Sequence, residues 1–195
     1  MKIFEIGLGK TGTTSLTKAY KILGYRYKGW SPDINFEFNK SYDYEVLFKV
    51  IDRYDAFADG PWNGNDFPED KLKGCDYKIL DEKYTGSKFI LLERDDESWI
   101  KSNEHWGSPV FNETMKRDDI DKRWVTDRDN LIKEKLNWKH LKYRGIKEYF
   151  KNRPNDLLVM NICDGERWEV LCPFLNKLIP DVLFPKENVT AMTND

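Results

Sequence analysis

Gly7-Leu8-Gly9-Lys10-Thr11-Gly12-Thr13-Thr14-Ser15 follows the apolar run Ile3-Phe4-Glu5-Ile6 and precedes a helical pattern that ends at Leu23-Gly24. A strand, a glycine-rich turn and a helix in that order aim backbone N–H groups and a helix N-terminus at an anion, typically a phosphate. A Walker A loop reads GxxxxGK[ST], with its lysine after the last glycine. Here Lys10 precedes Gly12, and two threonines and a serine follow. The loop cradles an anion in the manner of a P-loop protein, with its cation displaced.

Outward from that loop the periodicity alternates. Lys2–Ile6 reads as a buried strand and Thr13–Leu23 as a helix. Tyr42–Tyr54 has helical spacing, with Leu47, Val50 and Ile51 on one face. Asp55–Ala58 is a short strand that runs into the turn Asp59-Gly60-Pro61-Trp62. Cys75–Tyr84 reads as helix. Lys88–Glu93 reads as a strand whose stretch Phe89-Ile90-Leu91-Leu92 is continuous and apolar, the kind parallel sheets bury on both faces. A helix over Asp95–Asn103 follows, with acidic residues in its first turn. Residues 104–153 are the least organised, with helix expected over Asn130–Leu141 and Ile146–Asn152. Asp156–Asn161 is a last strand and Glu166–Leu175 a last helix. Alternation of this kind predicts an α/β fold, three-layer α/β/α with a mainly parallel central sheet, P-loop-like. Ligands in such folds sit at the C-terminal ends of strands. Lys10, Asp59, Arg94 and Asn161 to Gly165 all fall there.

With 195 residues, one domain over residues 1–195 is expected, with 104–153 as a helical acceptor-side or lid segment. The 32 basic residues against 34 acidic give a net charge of −2, so no nucleic acid partner is expected. No apolar run approaches the roughly 20 residues of a membrane span. Met1-Lys2 leads straight into the first strand, and a cytoplasmic setting is expected. Three cysteines without CxxC spacing argue against a disulfide framework or zinc site. None of Cys75, Cys163 and Cys172 has an arginine six residues on, which excludes a Cys-x5-Arg phosphatase loop.

Two motifs together resemble the sulfotransferases that use 3′-phosphoadenosine 5′-phosphosulfate (PAPS), in a compact soluble branch of that superfamily. Lys10-Thr11-Gly12-Thr13-Thr14 looks like the family's 5′-phosphosulfate loop. Arg94-Asp95-Asp96-Glu97-Ser98-Trp99-Ile100-Lys101-Ser102 looks like the segment whose arginine and serine hold the 3′-phosphate. Asp59-Gly60-Pro61-Trp62 and the stretch Asn161 to Trp168 are smaller marks of the same likeness.

The resemblance implies sulfuryl transfer from PAPS to a hydroxyl or amine of an unknown acceptor, a small molecule or glycan, with adenosine 3′,5′-bisphosphate as product and no metal. Lys10 would neutralise charge on the leaving 5′-phosphate, as positioned cations do in the analogous phosphoryl transfer. Thr11, Gly12, Thr13 and Thr14 would bind that phosphate, and Arg94 with Ser102 the 3′-phosphate. Ser15, which would join the cofactor-binding loop, stands where many family members carry an adenine-stacking tryptophan, which leaves Asn161, Ile162 and Cys163 as adenine-side candidates. The acceptor must lose a proton. Asp59 is the first candidate base, Glu37 the second and His105 a third. Two other readings carry distinct expectations. A P-loop kinase or NTPase would need Mg²⁺ near Asp59, and a non-catalytic nucleotide-binding relative would bind without turnover.

Overall fold

A computed structural model describes residues 1–29, 43–60, 76–108 and 121–187. Glu37, Trp62 and Cys75 lie outside the described residues. Five strands, β1 (Ile3–Glu5), β2 (Tyr27–Lys28), β3 (Ala56–Phe57), β4 (Lys88–Leu92) and β5 (Leu157–Met160), form one all-parallel sheet in the order β2-β3-β1-β4-β5. The helices among the described residues are α1 (Thr13–Ile22), α2 (Tyr44–Ile51), α3 (Tyr77–Lys83), α4 (Asp96–Gly107), α5 (Arg123–Thr126), α6 (Arg128–Phe150) and α7 (Trp168–Phe174). A 3-10 turn at Ile162–Asp164 follows β5. The expected α/β/α fold with its parallel sheet is present.

Alternation along the strands divides the core in two. Phe4, Phe57, Phe89 and Leu91 pack with α2, α3 and α6 on one face, and rings stack at 5.2 Å (Phe4–Phe57) and 5.7 Å (Phe4–Phe89). Ile3, Ala56, Ile90 and Leu92 meet Leu16, Ala19 and Tyr20 of α1 and Trp168 and Leu171 of α7 on the other. Strand order reverses at β1, whose neighbours β3 and β4 carry the chain off in opposite directions. That switch point opens a crevice at the strand ends, where the loops after β1, β3 and β4 converge.

Three expectations need correction. The strand β2 is an addition: a two-residue edge strand leaves no periodic signal to read. The two helices expected over Asn130–Leu141 and Ile146–Asn152 are one, α6, which runs through Gly145. Burial of Leu131, Tyr143, Ile146 and Phe150 along one face outweighs the roughly 1 kcal/mol that glycine costs a helix. Much of 104–153 is therefore well-ordered helix. Likewise α4 extends past Asn103 to Gly107, which puts His105 and Trp106 on helix.

Candidate functional site

The loop after β1 is built to leave a helix start open. Gly12 is the N-cap of α1 with φ 103°, in the left-handed region that glycine tolerates. Among the described residues no side chain caps α1, and its first turn holds no acidic residue. By contrast, α2, α3 and α4 are each capped by an aspartate: Asp43, Asp76 and Asp95. The first turn of α1 thus presents the positive end of the helix dipole at the crevice, where an anion is favoured.

Helix α4 braces the loop from behind. The Trp99 indole Nε1 donates to Gly9 O at 3.0 Å, and Arg94 Nη1 donates to Lys10 O at 3.0 Å. Within the loop, the Thr11 hydroxyl donates to Leu8 O at 2.7 Å. Cys163 approaches from the 3-10 turn, its thiol 3.7 Å from Thr11 O, and burial pushes that thiol up while Arg94 pulls it down. Ile162 closes the side, 3.4 Å from where a Cβ on Gly12 would stand. The two motifs that share the family likeness are therefore bonded to each other.

Lys10 and Asp59 are brought together across the crevice. Both are non-glycine residues with left-handed backbone, φ 68° and φ 61°. Such strain persists where the surroundings enforce it, and it clusters at functional sites. Burial pushes the Asp59 carboxyl up, opposed by the Lys10 ammonium and by a hydrogen bond with the Thr13 side chain. The Lys10 Nζ stands 3.6 Å over the centroid of the Trp106 ring, a cation–π contact. Trp106 is about one-third exposed, at 36%.

The remaining candidates are placed as follows. Arg94 Nε donates to Ser98 Oγ at 2.9 Å, so the serine that orients the fork is four residues on. Ser102 is buried one turn further along α4. The hydroxyl of Ser15 accepts the N–H of Glu187 at 3.1 Å, which brings the C-terminal tail to the first turn of α1. Asn161 caps the 3-10 turn, its side chain accepting from Asp164 N at 3.1 Å. His105 is exposed on α4 beside Trp106.

Several site-side residues escaped the sequence. Lys139 is buried on α6 and donates to Arg94 O and to Asp96 Oδ1, both at 2.6 Å. His140 Nε2 lies 2.8 Å from Asp96 Oδ2. With Glu93, Arg94, Tyr143, Arg144, Lys147 and Asn161 these residues line a groove of about 710 Å³ at the ends of β4 and β5. An i, i+4 set of long polar side chains along α6 was the available signal, but it reads equally as a solvated helix face. Glu5, a charge inside the first apolar run, carried no signal of its own.

The sequence model of the protein family described as "Sulfotransferase domain" matches residues 2–193. A protein of Aspergillus versicolor named "Ava biosynthesis cluster protein M" is similar to the chain. It is 26% identical over 219 residues, which takes in 95% of this chain and 80% of that protein.

Proposed function

The chain belongs to the sulfotransferase domain family, and on that premise we propose that it moves a sulfuryl group from PAPS to a hydroxyl or amine of a small-molecule acceptor, in a cytoplasmic setting. The observation that carries this reading is the bond from Arg94 Nη1 to Lys10 O, 3.0 Å, beside a helix start with no side-chain cap. It joins two phosphate-seeking groups at one switch point. The Aspergillus relative is named for a biosynthesis cluster, which supports a small molecule as acceptor.

The residues present fit such a donor. The N–H groups at Thr13 and Thr14 would hold its 5′-phosphate, and the Arg94 fork, kept in place by Ser98, its 3′-phosphate. Bound there, such a donor would supply the sulfuryl group and a 5′-phosphate leaving group on which negative charge grows. Lys10 neutralises that growing charge. Asp59 accepts the acceptor's proton, a task suited by a carboxyl that burial has made more basic. Trp106, beside Lys10, would flank the acceptor.

One observation favours a second reading. The Asp59–Thr13 hydrogen bond resembles the aspartate-and-hydroxyl pair that holds Mg²⁺ in P-loop NTPases. Calorimetry separates the two. Adenosine 3′,5′-bisphosphate is expected to bind without metal, and Arg94→Ala to weaken it by roughly 2–4 kcal/mol through loss of charge-assisted bonds. Tight binding of ATP with Mg²⁺ and none of the bisphosphate would reverse the assignment.

A further inference from the structure

Glu5, the last residue of β1, has no exposed surface and takes no part in the transfer just described. Its two oxygens serve two different loops. Oε1 accepts the N–H of Gly7 at 2.7 Å, and Oε2 accepts that of Asp59 at 3.4 Å. Gly7 opens the anion loop, and Asp59 is the candidate base. A carboxylate offers acceptors at both oxygens and no donor, so it satisfies two N–H groups at once. A glutamine of the same shape brings one acceptor oxygen and one NH₂ donor. The fit is close: a Cβ on Gly7 would stand 2.8 Å from Oε1 and 3.2 Å from Leu92 O.

Burying a charge beside an anion site is costly unless it is compensated. Lys142, partly buried on α6, supplies an opposite charge that interacts with Glu5. Burial pushes the Lys142 ammonium down to about 8, with Glu5 and then Asp76 pulling it back up. The neighbouring Tyr143 hydroxyl accepts Leu8 N–H at 3.3 Å and donates to Leu92 O at 2.8 Å. The loop thus rests on a buried polar layer.

We propose that Glu5 is a positioning residue: one buried carboxylate ties the anion loop to the backbone of Asp59 and so fixes the placement of Lys10 relative to the base. Its catalytic meaning rests on the sulfotransferase reading, whereas its two bonds do not. The test uses the whole chain in three forms: wild type, Glu5→Gln and Glu5→Leu. Backbone amide resonances of Gly7 and Asp59 are followed by NMR, adenosine 3′,5′-bisphosphate binding by calorimetry, and folding by thermal denaturation. In Glu5→Gln the amide oxygen is expected to stay on Gly7, the shorter bond, and to turn its NH₂ toward Asp59. The Asp59 resonance then shifts while that of Gly7 holds, with affinity within roughly threefold of wild type. Glu5→Leu is expected to shift both resonances and to weaken binding about tenfold or more. An Asp59 resonance unmoved in Glu5→Gln would overturn the proposal, as would a folded Glu5→Leu that binds as wild type does. If wild type itself ignores the bisphosphate, the sulfotransferase reading fails, and the two amide resonances still decide the role of Glu5.

Discussion

Lys10 and Asp59 hold opposite charges in left-handed backbone, φ 68° and 61°, on two loops that face each other. A non-glycine residue held there costs about 1–2 kcal/mol, so the loops must be held from outside, by α4 and by Glu5. With the backbone so held, the Lys10 ammonium lies against the Trp106 ring and acts on Asp59, and in the proposed transfer it meets charge that develops only in the transition state. Lys10→Ala is therefore expected to lower turnover roughly 10²–10³-fold while bisphosphate affinity falls much less. Product formation and calorimetry on the same preparation check this, and unchanged turnover would remove Lys10 from its role. Asp59 carries a pH signature. Burial raises its carboxyl above the ordinary 3.8, against Lys10 and Thr13, so the folded chain keeps a proton that the unfolded chain gives up. Stability from this group is complete below the unfolded value and is lost as pH rises through the folded one. Asp59→Asn should then gain in melting temperature relative to wild type as pH rises from about 4 through the raised range of this carboxyl. A difference that stays flat over that range would show that the carboxyl is not raised.

At the scale of elements, the loop is a product of what packs on it. Trp99→Phe keeps a six-membered ring in this buried site and deletes the indole N–H that bonds Gly9 O. It should cost at least roughly 1–3 kcal/mol in denaturant unfolding and loosen anion binding, since a buried carbonyl loses that bond and part of the buried ring volume is removed. Gly12→Ala combines a left-handed backbone with a Cβ 3.4 Å from Ile162. Calorimetry should show bisphosphate affinity falling further than global stability, because the strain falls on the binding turn.

This strand–loop–helix unit was legible because glycines punctuate it and because Ile3 to Ile6 read as apolar. Glu5 was hidden by the same apolar run: a charge inside a buried strand looks like noise until its two partners are visible. Ser98 stood at helical i, i+4 spacing from Arg94, yet the family likeness drew attention to Ser102. The grip of the tail on Ser15 is 172 positions apart in sequence, and no local pattern reports it.

Across the whole molecule, the aromatic face carries much of the packing. Phe89 is fully buried between Phe4 at 5.7 Å and Phe150 at 4.8 Å, which joins the sheet to α6. Phe89→Ala should cost about 3–5 kcal/mol by chemical denaturation. It should also disturb the groove on α6, although Phe89 lies outside that groove. A staple of Arg153 and Tyr149 on Asp81, at 2.6 Å and 2.8 Å, closes the same face. The α/β/α fold and parallel sheet were legible because Phe89 to Leu92 and Leu157 to Met160 are continuous apolar runs that alternate with helical patterns. The order of strands was not, since sequence gives runs rather than neighbours.

That order has a consequence for how the chain is made. Of these five strands the central one is synthesised first, and Ile3 waits 53 residues for Ala56 and 85 for Lys88. Pairings so distant in sequence close slowly. During translation up to Leu92, β1 has at least one bare, sticky edge, the kind of surface that nascent chains lose to aggregation or shield with chaperones. The anion loop, which takes its braces from Arg94 and Trp99, cannot take shape until those residues have been synthesised. Ligand competence thus waits on braces made 84 and 90 positions after the loop residues they hold.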